Sequence, residues 1–226
     1  MEKMNIKGAI FDCDGTLVDS LGFWDVFYVK IGEHFFGGKE FKVAPEDDRA
    51  MRTQAVGFLS NLLHSKYGIA ESPKAMEKWC LDLFAWYYTE VVELKAGVRE
   101  LLEHLKKSGV RICIASAAEK DMIELVLGKH KVLDYFEGII SCTKVGAGKD
   151  KPDVFLAAEE FLGTPHEETW VFEDSLLAMQ TASKAGFKLA GIYDKHTFGQ
   201  DEAREICDLY VEDGGSFADL IPQLFD

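Results

Sequence analysis

Asp12 and Asp14, separated by Cys13 and followed by Gly15, are the residues of this chain whose types and spacing point most directly to chemistry. They stand where the apolar run Gly8-Ala9-Ile10-Phe11 ends. Side chains alternate along a strand, so residues two apart point the same way, and both carboxylates can face one crevice beyond the strand's carboxyl end. There the first acid can attack phosphorus. The second can protonate the leaving oxygen and later deprotonate the water that clears a phospho-aspartyl intermediate. An Asp-Gly turn whose acids merely bond local backbone has the same spelling, and the pair alone does not choose between the two.

Such acids need elements to carry them, and polar groups recur at the ends of later apolar runs. Arg111 to Ala115 ends at Ser116, and Thr169 to Phe172 ends at Glu173-Asp174-Ser175. Between them Gly146-Ala147-Gly148-Lys149-Asp150-Lys151-Pro152 forms a glycine-rich, lysine-bearing loop, with Pro152 suited to the first position of the next helix. Strands are expected at Gly8 to Phe11, Arg111 to Ala115, Gly138 to Ser141, Thr169 to Phe172 and Lys188 to Ile192, with a short one near Leu209 to Val211. Helices are expected over Val98 to Ser108, closed by Gly109, and near Lys120 to Lys129, Asp153 to Leu162 and Leu176 to Ala185. This alternation forces parallel pairing with right-handed crossovers, hence an α/β fold with a doubly wound parallel sheet.

Residues from about Asp19 to Leu94 differ. Phe23, Trp24, Phe27, Tyr28 and Ile31, then Phe58, Leu59, Leu62 and Leu63, then Trp79, Leu83, Trp86 and Tyr87 recur at helical spacing. An all-helical insert is expected, with loops near Phe36 to Asp47 and Tyr67 to Ser72, and hinges near Leu17 to Gly22 and Glu93 to Gly97. The expected division is a core domain of residues 1–18 and 95–226 and a helical cap of residues 19–94. A loop near Ala44 to Ala55 carries Arg49 and Arg52, which can contact a substrate anion or stand as solvated charges.

In these four motifs, taken in order, the chain resembles the haloacid dehalogenase superfamily of phosphotransferases, in its branch with a helical cap after the first strand. The resemblance implies that Asp12 is the nucleophile and Asp14 the general acid and base, with Thr16 settling the second acid. True dehalogenases of the superfamily lack an acid at the second position, so Asp14 implies phosphoryl chemistry. Ser116, with the backbone N–H of Ala117, is implied to hold a phosphate oxygen; Ala117-Ala118 puts side-chain contacts from that turn in doubt. Asp174 is the implied Mg²⁺ ligand, with Asp12 and the backbone carbonyl of Asp14, and Glu173 orients metal-bound water from behind. Laying Pro152-Asp153-Val154-Phe155 on the family pattern puts Lys149 at the lysine that neutralises the nucleophile and binds phosphate. Lys151, next to Pro152, is expected to face solvent.

The implied activity is Mg²⁺-dependent hydrolysis of a small phosphorylated metabolite through an aspartyl-phosphate. A sugar phosphomutase of the β-phosphoglucomutase type is the alternative; it places a histidine early in the cap, where this chain has Trp24. A non-catalytic binding protein on the same fold is a third reading, opposed by the retained Asp12, Asp14, Ser116, loop lysine and Asp174.

At 226 residues, 47% of them hydrophobic, the chain can hold one large domain and a modest insert. Its formal charge of −14 argues against nucleic acid or an anionic membrane as partner, and a monomer or weak dimer is expected. The start Met1 to Lys7 carries no apolar signal core, which gives a cytoplasmic expectation. Cys13, Cys80, Cys113, Cys142 and Cys207 form no CxxC pair, and their odd number argues against a disulfide framework.

Overall fold

Six runs rich in aliphatic side chains form the sheet of the computed structural model, which describes residues 5–53 and 56–225. The strands are β1 (Gly8–Phe11), β2 (Arg111–Ser116), β3 (Ile139–Ser141), β4 (Thr169–Glu173), β5 (Lys188–Ile192) and β6 (Leu209–Val211). They run in the order β3-β2-β1-β4-β5-β6, and every adjacent pair is parallel. Every residue of β1 and β4 is buried, because crossover helices cover both faces of a parallel sheet and leave no polar side to alternate with.

Two compact units divide the chain, one of residues up to Ser20 and from Val92, the other Leu21–Val91. In the first, strand alternation sends Ile10, Cys113, Val171 and Leu189 into a core shared with Val154, Phe155, Ala158 and Leu162. Phe11 and Phe172 point the other way and stack at 4.1 Å between ring centroids, with Phe136 edge-on to Phe11. Truncating a fully buried aromatic such as Phe155 to Ala would cost about 3–5 kcal/mol.

The helical unit contains α1 (Phe23–Phe35), α2 (Pro45–Thr53), α3 (Val56–Tyr67) and α4 (Pro73–Trp86), followed by a π-helical turn, Tyr87–Val91. Phe23 stacks on Phe84 at 4.1 Å and meets Phe27 and Tyr87, so aromatic packing holds the unit's middle. Helix α2 replaces the loop expected from Ala44 to Ala55. Pro45 opens it, and Glu46, Asp47 and Asp48 in its first turn complement the helix dipole. Its polar composition left no apolar stripe to betray it. Arg49 lies on this helix; the side chain of Arg52, with residues 54 and 55, lies outside the described residues.

The remaining helices are α5 (Val98–Lys107), α6 (Lys120–Lys129), α7 (Cys142–Val145), α8 (Asp153–Leu162), α9 (Leu176–Lys184), α10 (Gln200–Ile206) and α11 (Ile221–Phe225). Helices α7, α10 and α11 were not expected; α10 buries only Ala203 and α7 is four residues long, so neither offers a helical period. Pro152 caps α8 rather than opening it, and Ser108 caps α5, with Gly109 following at φ +75°. Among the described residues no helix is long and apolar enough to cross a membrane.

Candidate active site

The end of β1 is locked by its neighbours before it turns. The Asp12 N–H donates to the Phe172 carbonyl at 3.0 Å, which extends the β1–β4 ladder by one residue and buries Asp12. Phe11 pairs with Ile114 on one side and Phe172 on the other, so Asp12 is level with Ala115 and Glu173. Beyond it the chain reverses sharply. Leu17 and Val18 both donate to the Cys13 carbonyl, at 2.9 and 3.1 Å, and Gly15 donates to the Val18 carbonyl at 3.0 Å. Gly15 sits at φ +83°, a conformation that costs a side-chain-bearing residue strain.

Around Asp12 the structure gathers residues distant in sequence. The Lys149 ammonium bridges Asp12 Oδ1 and Glu173 Oε1, and its side chain is 12% exposed. Lys151 is exposed. The other oxygen of Glu173 accepts from the backbone N–H groups of Asp174 (2.8 Å) and Ser175 (2.9 Å). Glu173 therefore joins the lysine to the turn that carries Asp174, and both its oxygens are engaged. The Thr16 hydroxyl, fully buried, donates to Asp174 Oδ1 at 3.0 Å. The expectation ties Thr16 to Asp14; the hydroxyl bond observed runs to Asp174. The Ser20 hydroxyl donates to Asp14 Oδ1 at 2.6 Å. Ser20 was missed because a serine six residues beyond an acid acquires meaning only once the turn at Gly15 folds it back.

Ser116 ends β2, buried, with its Oγ accepting from the Ala118 N–H at 3.2 Å. Helix α6 begins only at Lys120, with Glu119 at its cap, so Ser116 organises the intervening turn rather than the helix terminus. Ala117 is exposed at that turn.

Among the described residues, Asp12, Glu173 and Asp174 offer ligand oxygens that all lie within 4.8 Å of one another, and all three are buried. Two like charges at that separation repel by about 3.5 kcal/mol in an effective dielectric of about 20. Burial pushes the Asp174 carboxyl well above its usual range, and the Glu173 and Asp12 charges push it further, against the Thr16 hydrogen bond. Burial also raises Glu173, with Lys149 opposing and Asp12 adding. For Lys149 burial works against the charge, but Asp12 and Glu173 together hold the ammonium above its ordinary value. One cation thus faces three acids. The donor set, all carboxylate oxygen and short of positive charge, fits a hard divalent cation. Burial, then Asp14 and Asp12, push the Cys13 thiol well above its usual range, so it stays protonated and inert.

A family model described as haloacid dehalogenase-like hydrolase matches residues 6–186. Protein CbbY of Rhodobacter capsulatus is 29% identical over 210 residues, covering 88% of this chain and 90% of that protein. Hexitol phosphatase A of Escherichia coli is 28% identical over 185 residues, covering 81% of each. Among solved structures, CbbY from Rhodobacter sphaeroides in complex with phosphate superposes with a TM-score of 0.72 at 23% identity, covering 95% of this chain and 96% of that one.

Proposed function

The chain belongs to the haloacid dehalogenase-like hydrolases, and from that premise we propose that it is a phosphatase hydrolysing a small phosphorylated metabolite through a phosphorylated Asp12. The observation that carries this reading is the Lys149 ammonium held between Asp12 and Glu173 with Asp174 alongside. Similarity to a hexitol phosphatase supports a small phosphomonoester as substrate. We assign the activity to the cytoplasm and to a monomer or weak dimer.

An Asp12 oxygen attacks phosphorus as the ester P–O bond breaks, and the leaving oxygen takes its proton from the Asp14 carboxyl. The Asp14 carboxylate then takes a proton from water as that water attacks the phosphoryl group, which releases inorganic phosphate and restores Asp12. Lys149 orients the nucleophile and balances charge on the transferring oxygens, while Glu173 holds Lys149 in reach. Thr16 fixes one oxygen of Asp174. Ser116 and the Ala117 N–H hold a phosphate oxygen at the neighbouring strand end. Mg²⁺ is the cation we assign; Asp12, Asp174 and the Asp14 carbonyl would hold it, and it would offset the repulsion between a carboxylate and a phosphate dianion.

Release of inorganic phosphate from 4-nitrophenyl phosphate, with and without Mg²⁺, tests this directly. Activity that survives exhaustive chelation would remove the metal from the reading. Asp14→Asn should cost about 10² to 10⁴ in rate, and a wild-type rate in that variant would remove Asp14. The mutase reading predicts instead that β-glucose 1-phosphate with a catalytic amount of the bisphosphate yields glucose 6-phosphate faster than free phosphate. Trp24, packed edge-on to Phe23 and Phe27, offers no imidazole for that path.

A further inference from the structure

The turn that carries Asp14 is held from the side by a second segment of chain. Lys95 N–H donates to the Leu17 carbonyl at 2.9 Å and Asp19 N–H to the Glu93 carbonyl at 3.0 Å, with Val18 and Leu94 forming an antiparallel bridge between them. Segment 17–19 and segment 93–95 are therefore a short two-stranded ribbon. One of its strands begins three residues after Asp14 and ends one residue before Ser20, the two residues joined by the 2.6 Å hydrogen bond. Two hydrogen bonds and a bridge are a weak ribbon by themselves.

What pins it is Lys95. Its ammonium donates to the Tyr193 carbonyl at 2.7 Å and pairs with Asp194 Oδ2 at 2.9 Å, with side chains 15% and 2% exposed respectively. Asp194 is itself immobilised. Its Oδ1 accepts from the His196 N–H at 2.9 Å, and its carbonyl accepts from the Thr197 N–H, the Thr197 hydroxyl and Gln200 Nε2. The loop after β5 thus offers a fixed anchor, and a buried lysine ties the ribbon to it. On the other flank, Val92 accepts from Lys129 Nζ and from His130 Nε2, each at 2.9 Å, and Ala96 accepts from Phe217 at 2.8 Å. Lys95 also bonds the Leu17 carbonyl directly, through its own backbone; Glu93, whose carbonyl accepts from Asp19, is tied to Lys129 by an exposed side chain.

We propose that Lys95, anchored by Asp194, is a positioning residue for the general acid Asp14: the ion pair fixes the ribbon, and the ribbon fixes where the Asp14 carboxyl meets the leaving oxygen. This rests on the phosphatase reading above. Loss of the anchor should blunt proton donation and leave attack by Asp12, which the β1–β4 ladder holds separately, nearly intact.

Leaving groups separate these two effects. 4-Nitrophenyl phosphate releases a stable anion that needs no proton in the transition state, whereas phenyl phosphate, of nearly the same shape, depends more on the acid. With Mg²⁺ present, Lys95→Met should lower kcat/KM, which covers only the steps through departure of the alcohol, at least about tenfold more for phenyl phosphate than for 4-nitrophenyl phosphate. Lys95→Arg, which keeps the charge, should restore the ratio. Should Lys95→Met fail to fold, Asp194→Asn keeps the acceptor for His196 and removes only the ionic anchor, and it should show the same selective loss. Equal fractional losses on both esters, or none, would overturn the role of Lys95 and leave the phosphatase reading standing. A wild-type protein that releases phosphate from neither ester overturns both. Turnover of the nitrophenyl ester alone would show that no general acid operates, which overturns the inference and the acid role of Asp14 while phosphate release by the protein stands.

Discussion

Two buried aspartates, one in each unit, are treated in opposite ways. In the helical unit, Asp47 on α2 accepts from Lys66 Nζ at 2.6 Å and from the Tyr67 hydroxyl. Those donors, the lysine first, hold its carboxyl below the usual range despite the cost of burial. In the sheet unit, Asp174 has among the described residues a single side-chain donor in Thr16 and two acids close by, and its carboxyl is held well above that range. An acid that serves the fold is surrounded by donors. An acid kept for a ligand is left short of them, and the unfavourable balance is what a bound cation would relieve.

The sharpest way to break this contrast is to remove charge from the acid cluster. Asp12→Asn should abolish turnover, because an amide cannot form the acyl phosphate, and yet raise the melting temperature of the chelated protein by relieving repulsion. Phosphate release and thermal unfolding in chelator check both halves, and a lowered melting temperature would show that the cluster is balanced already.

Lys149→Ala should also cost orders of magnitude in rate, and here the stability change has the other sign. Stranding Asp12 and Glu173 without their cation should destabilise the protein by about 3–5 kcal/mol, readable by denaturant titration. Lys151→Ala should do little to either quantity, and the reverse pattern would exchange their roles. Mg²⁺ should then stabilise the wild type by about 2.7 kcal/mol at a hundredfold excess over its Kd, and Asp174→Asn should lose most of that gain. Ca²⁺ should bind in place of Mg²⁺ and inhibit, since it takes more ligands at longer distances.

The smallest effect belongs to Asp47. Its folded-state pKa lies below the unfolded value of about 3.9, so its contribution to stability is complete above that pH and is lost as the pH falls through the folded value. The gap in stability between wild type and Asp47→Asn should therefore be constant near neutrality and close in acid. Thermal unfolding between pH 2 and 7 measures it; a gap that widens in acid would place Asp47 with Asp174 rather than against it.

The same contrast explains what the sequence discloses. Strands β1, β2 and β4 are legible because double burial makes them unbroken apolar runs, and their polar ends mark the side of the sheet where ligands bind. The positions of Asp12, Glu173 and Asp174 follow from that reading of strand ends. Helix α2 is hidden because it is held by its first-turn acids and by Lys66 and Tyr67 rather than by an apolar stripe. The partner of Thr16 is hidden for another reason: Asp174 is 158 residues away, and only the register of β1 against β4 brings them together. Lys95 lies in neither an alternating apolar run nor a helical period, and its partner belongs to a loop, so no local pattern announces it.

The bridge between Val18 and Leu94 has a consequence for how such a chain can change over time. Adjacent antiparallel residues stand about 5 Å apart, so residues 21–91 leave and rejoin the sheet unit at almost a single point. A two-residue hairpin could close that gap, and so could a helical insertion of different length. The insert is therefore an exchangeable cassette, open to replacement in evolution or by recombination in the laboratory, while the strand ends that carry the chemistry keep their places.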